Sequence, residues 1–168
     1  MFRYWRSMFF NENAILALKA FASWKFILLN FLLLVFFQAA PLTQEDLVTF
    51  PFDYIGVLWK ILLATFVVLI FAKLFGSKIT AKKYLYVVSV VNLFASILSA
   101  LLAYLSLFVF EFIFDNPVFS NIITSILPFY LIVLFAFSSD VASELEGWRS
   151  ALLGFIAVIL LYSLYYFL

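Results

Sequence analysis

Long uncharged apolar stretches alternate with short polar ones along the whole chain. The opening segment, "MFRYWRSMFFNENAILALKAFASWK", interleaves Phe2, Trp5, Phe9 and Phe10 with Arg3, Arg6, Lys19 and Lys25. Such mixing suits a helix lying in the headgroup layer, so residues 1–25 are read as an N-terminal interfacial amphipathic segment that anchors without crossing. Five apolar runs follow, approximately at 26–42, 54–75, 84–110, 120–139 and 150–168, and each predicts a helix.

Local signals set the ends of these runs. Pro41 closes the first, which carries Asn30 and Gln38 as its polar positions. Asp53 suits the N-cap of the second and Gly76 its C-terminal stop. Lys60 interrupts that run two turns after Asp53, placed either to snorkel outward or to meet the Asp53 carboxylate. The third run holds 27 residues without a charge. Fully helical, it is about 40 Å long and must tilt or protrude. Asp115, Asn116 and Pro117 predict a turn, and Pro128 predicts a kink in the fourth run with the Thr124 carbonyl freed. "DVASELEGWR" is the last polar loop.

Composition then decides the surroundings of these helices. Of 168 residues 68% are hydrophobic and nineteen are charged, an excess of apolar surface that one water-soluble core does not hide. A crossing of a roughly 30 Å hydrocarbon layer takes about 20 residues, so this length fits five crossings. The expected fold is an all-α integral membrane helical bundle, with residues 26–168 forming one five-span transmembrane domain.

Cysteine and histidine are both absent. That removes disulfides, thiolate nucleophiles, most transition-metal sites and the usual proton shuttle. No Gly-rich phosphate loop, H-E-x-x-H or G-x-S-x-G occurs, so neither an enzyme nor a cofactor is expected. A net charge of +1 gives no reason to expect nucleic acid. The distribution of charge says more than its sum. Arg3, Arg6, Lys19, Lys25, Lys73, Lys78, Lys82, Lys83 and Arg149 are nine of the ten basic residues, and they fall in the N-terminal segment and in the loops after the second and fourth runs. The loops after the first and third runs instead hold Glu45, Asp46, Asp53, Glu111 and Asp115. Five crossings under the positive-inside rule put the N-terminus in the cytoplasm and the C-terminus outside.

Four groups of residues are candidates for function. In the third run Ser89, Asn92, Ser96, Ser99 and Ala103 step by three or four along one helical face. Small and hydroxyl residues make a helix-packing seam; a pathway would use the same stripe, with Asn30, Gln38 or Thr124 opposite and Lys60 as the charged group. Ser150, Gly154 and Ala157 or Val158 offer a second small-residue seam in the fifth run. Asp140, Glu144 and Glu146 form an acidic set, the first two at i, i+4, but nothing completes a catalytic or metal site, and Ser143 with Glu146 fits a capping box. The loop "FAKLFGSKITAKKYLY" gathers Lys73, Lys78, Lys82 and Lys83. It is read as a topological signal in contact with anionic lipid, or as a docking face for an acidic partner with Trp148 and Arg149 supplying the other half.

"LLATFVVLIFAKLFGSKITAKKYLYVVSVVNLFASIL" resembles the middle of the Yip family, small integral membrane proteins named for interaction with Rab-type GTPases, in its bacterial branch. There too a span ends in a short basic loop and the next span follows at once. "YLIVLFAFSSDVASELEGWRSALLGFIAVILL" is similar to that family's closing span, loop and final run. The D-L-Y-G-P phrase of eukaryotic members has only a rearranged counterpart in Asp53 to Gly56, and no role is transferred to those residues. The resemblance implies a non-enzymatic membrane organiser or adaptor, or a complex subunit, in a bacterial cytoplasmic (inner) membrane. It would act through its cytoplasmic basic face on membrane lipids, other membrane or cytoplasmic proteins, or further copies of itself. The rival expectation is a transporter, a channel or an accessory subunit using the polar stripe of the third run.

Overall fold

The computed structural model describes residues 11–38, 46–109 and 117–166. Among the described residues are six α-helices and no strand. Helix α1, Glu12–Leu18, runs into a 3-10 turn at Lys19–Phe21; α2 is Trp24–Gln38, α3 Asp46–Leu74, α4 Ala81–Val109, α5 Pro117–Ser143 and α6 Trp148–Tyr166. The Asn11 side chain accepts a hydrogen bond from the Ala14 amide at 3.0 Å, and Glu12 stands in the first turn where the helix dipole favours an anion.

Helix α3 stops where Gly76 adopts φ 95°, a left-handed conformation open to glycine. There the Gly76 amide donates to the Lys73 carbonyl and the Ser77 amide to the Ala72 carbonyl, which satisfies two of the orphan carbonyls of the last turn. At its other end the expected start is wrong. Helix α3 begins at Asp46, so Asp53 lies within it and caps nothing, and Lys60 becomes the middle residue of a 29-residue helix. A Pro followed by an Asp imitates a start signal, but Pro51 is the sixth residue of α3, and its missing amide leaves only the Leu47 carbonyl of the first turn without its donor. Pro117 likewise opens α5 instead of completing a turn, and α5 continues through Pro128 to Ser143.

Helices α2, α4, α5, α6 and α3 stand in that order around a ring, with α3 closing back onto α2. The closest packing is between α2 and α4, which run parallel, and α1 caps α4 and α5 at one end. Buried Leu34, Val35, Val68, Val88, Val91, Leu134 and Leu153 fill the joints. Every long helix also turns large apolar side chains outward, among them Leu28, Trp59, Leu101, Phe129 and Phe155. An apolar exterior on all sides is an aggregation surface in water and an ordinary one in hydrocarbon. By length and composition, Tyr54–Leu74 within α3 and Ala81–Leu101 within α4 are long and apolar enough to cross a membrane. Trp24–Gln38, Pro128–Ser143 and Trp148–Leu164 are shorter apolar helices.

The expected small-residue seam in α6 is not one at Gly154. A Cβ built there meets nothing within 4 Å, and the buried face of α6 is instead Leu153, Ala157 and Leu164. Near the start of α4 the Tyr84 hydroxyl is fully buried beside the Ser139 hydroxyl, and neither makes a well-formed hydrogen bond. Such an orphan costs about 1–3 kcal/mol. Replacing Tyr84 by Phe keeps the packing and removes the orphan, so thermal unfolding in detergent is expected at an unchanged or higher temperature. A drop of several degrees would mean that the hydroxyl is bonded.

Candidate functional site

Three polar contacts draw the helix ends together at one end of the ring. Lys19, only 8% exposed, donates to Glu144 Oε1 at 2.6 Å and to the Val141 carbonyl at 3.4 Å, tying the 3-10 turn to the end of α5. Ser77 Oγ donates to the Ser143 carbonyl at 2.5 Å, joining the α3–α4 loop to the same place. Arg149 Nη1 donates to the Phe75 carbonyl at 3.1 Å, and the Arg149 guanidinium lies over the Trp148 ring, 5.7 Å from its centre. Trp148 in turn packs against Phe75, ring centres 6.4 Å apart.

These ties sort the basic residues into two groups. Lys73 folds onto the Ser77 and Ile79 carbonyls, and Lys19 and Arg149 are engaged as above, so three cations are used to close the chain's own loops. The side chains of Lys25, Lys78, Lys82 and Lys83 make no hydrogen bond or ion pair among the described residues. Lys25, Lys78 and Lys83 are exposed and Lys82 half-buried, on the same end that carries Trp24 and Trp148 at 58% and 68% exposure. Trp148 and Arg149 thus share this end with the lysine loop. Which lysines are free was not legible from spacing, because Lys73 differs from Lys78 only in lying within reach of carbonyls left open by a helix end.

The acidic set lies beside this end. Asp140, Glu144 and Glu146 line a shallow recess with Glu12 and Ser150. Helix α5 ends at Ser143 and Glu144 takes φ 55°, so Asp140 and Glu144 are not two steps along one helix face. Ser143 is no N-cap either: it receives the Leu145 amide and donates to the Asp140 carbonyl, closing the end of α5, while α6 begins only at Trp148. Burial pushes the Asp140 carboxyl above the usual carboxylate range; Ser150 opposes this by hydrogen bonding and the nearby Glu12 charge adds to it. Among the described residues no group of three His, Cys, Asp or Glu is arranged to hold a metal ion.

Away from that end, α4 presents its polar stripe to two neighbours. Asn30 donates to Ser89 Oγ at 3.3 Å and Gln38 to Ser96 Oγ at 3.0 Å, two rungs between the parallel helices α2 and α4. Asn92 donates to Ser138 Oγ at 3.3 Å, linking α4 to α5, and to the Val88 carbonyl at 2.8 Å. Ser89, Asn92 and Ser96 are buried; Ser99, a turn farther on, is half-buried. The side chains of Ala103 and Thr124 lie outside the described residues. Sequence spacing finds the stripe but not Ser138, whose single hydroxyl in an apolar run carries no signal until α5 is set against α4.

No family model matches the chain, and neither a curated protein nor a solved structure is similar to it at a significant level. If Lys19 and Glu144 form the bond that fixes α1, Glu144→Gln is expected to lower the unfolding temperature more than Lys19→Met. The first variant leaves an ammonium buried without its anion, whereas the second leaves a carboxylate that is already 53% exposed. Equal losses would show that the pair contributes only its packing.

Proposed function

We propose that the chain is a five-span integral membrane protein that organises its membrane, or serves as a subunit of a membrane complex, by holding anionic lipid headgroups on its cytoplasmic basic end. The single observation that carries this reading is the division among the cations. Lys73, Lys19 and Arg149 are consumed by internal contacts, while Lys25, Lys78, Lys82 and Lys83 stay unpaired on one end beside two exposed tryptophans. Indole rings favour the headgroup level, and lysines near an anionic leaflet contribute about 1 kcal/mol each.

The geometry supports five crossings through its connections. The start of α2, the end of α3, the start of α4, the end of α5 and the start of α6 are bound to one end by short loops and by the ties at Lys19, Ser77 and Arg149. Five helices that alternate in direction from one end place the N-terminus with the lysines and the C-terminus opposite. The positive-inside rule assigns the lysine end to the cytoplasm. The resemblance to the bacterial branch of the Yip family accords with such a non-enzymatic role in a cytoplasmic membrane. Cross-helix bonding of Ser89, Asn92 and Ser96 favours a packing seam over a conducting stripe.

Purified protein released into the gas phase with its lipids is expected to retain phosphatidylglycerol in preference to phosphatidylcholine. Replacing Lys78, Lys82 and Lys83 together by Gln should weaken that retention at least tenfold, given about 1 kcal/mol per lysine. Unchanged retention by the triple variant, or equal retention of the neutral lipid, would contradict a headgroup-binding face.

A further inference from the structure

At the centre of the ring lies a cavity of about 190 Å³ lined by all five long helices. Its walls are mostly Leu, Ile, Val and Phe, and only Lys60, Asn92 and Gln38 bring polar atoms to it. Lys60 is the middle residue of α3, about 21 Å along the helix from the basic end at 1.5 Å per residue. The apolar stretch of α3 begins at Tyr54, six residues or about 9 Å before Lys60, and the Lys60 side chain is half-buried where it lines the cavity. Among the described residues that ammonium has neither a hydrogen-bond partner nor an anion.

The two amides sharpen the chemistry. Asn92 spends its Nδ2 on Val88 and Ser138, and Gln38 its Nε2 on Ser96. What remains for the cavity is one cation and two amide oxygens. A site of this kind repels cations and has too little polar lining to replace the water of phosphate or sulfate. It suits a single carboxylate on a small apolar body. Volume agrees, since an apolar cavity near 150 Å³ accommodates benzene, and 190 Å³ adds room for a carboxyl group.

We propose that this central cavity is a binding site for a small amphipathic monocarboxylate, whose carboxylate pairs with Lys60 Nζ while its apolar body lies against Phe31, Leu131 and Phe135. The site depends on the ring of five helices and not on headgroup binding at the basic end. The two proposals therefore fail separately.

Benzoate is the probe, with benzyl alcohol as its neutral counterpart, titrated against the full chain in detergent micelles by calorimetry and by thermal unfolding. Benzoate is expected to saturate one site and raise the unfolding temperature, because a ligand that binds only the folded state stabilises it. Lys60→Met should weaken benzoate about ten- to hundredfold, the range for a hydrogen bond to a charged group, and leave benzyl alcohol binding within about twofold. Lys60→Arg keeps the charge and should keep benzoate. If Lys60→Met proves unstable, the wild-type comparison decides alone: benzoate must bind more tightly than benzyl alcohol. Equal binding of the two probes, no saturable benzoate binding, or undiminished benzoate binding by Lys60→Met would overturn the proposal.

Discussion

Helices whose surfaces are as apolar as their surroundings gain little from setting leucine against leucine, so in hydrocarbon their association rests on close packing and on polar contacts that have nowhere else to go. In this chain those contacts are few and placed where they bind most helices. Asn30 to Ser89 and Gln38 to Ser96 fix the register of α2 on α4, and Asn92 to Ser138 fixes α4 on α5. A slip of one residue along either helix would break every rung. The apolar bulk fills the remaining space without specifying an arrangement.

The same constraint explains the basic end. Where the helices emerge, each terminus exposes carbonyls that lack intrahelical donors. Lys73, Ser77 and Arg149 serve the ends of α3 and α5 and the α3–α4 loop, and Lys19 brings α1 over the gap between α4 and α5. Once these donors are used, the lysines left over point away from the bundle. The free lysines are thus the remainder of a structural allocation, and the two uses of lysine cannot be exchanged without opening a helix end.

Much of this architecture is legible in the residues themselves. Uncharged runs give the five long helices, Gly76 gives the end of α3, and a step of three or four along α4 gives the seam. Two things escape. Helix α3 extends seven residues before Asp53, because a Pro-x-Asp phrase looks like a boundary whether or not the chain is already helical. The capping-box pattern at Ser143 and Glu146 fails because the hydroxyl is already engaged in ending α5, a use that depends on the preceding helix's length. The central cavity was beyond reach altogether, as it exists only between helices.

Five crossings put the lysine loop and the C-terminus on opposite faces of a membrane. Because the chain has no cysteine, single replacements report accessibility without background. Lys78→Cys and Phe167→Cys, each probed with a membrane-impermeant maleimide on sealed vesicles of native orientation, give the most direct measurement. Labelling of position 167 from outside, with position 78 reacting only after permeabilisation, is the predicted result. Labelling of both positions from one face would contradict the five-span arrangement and the basic cytoplasmic end with it.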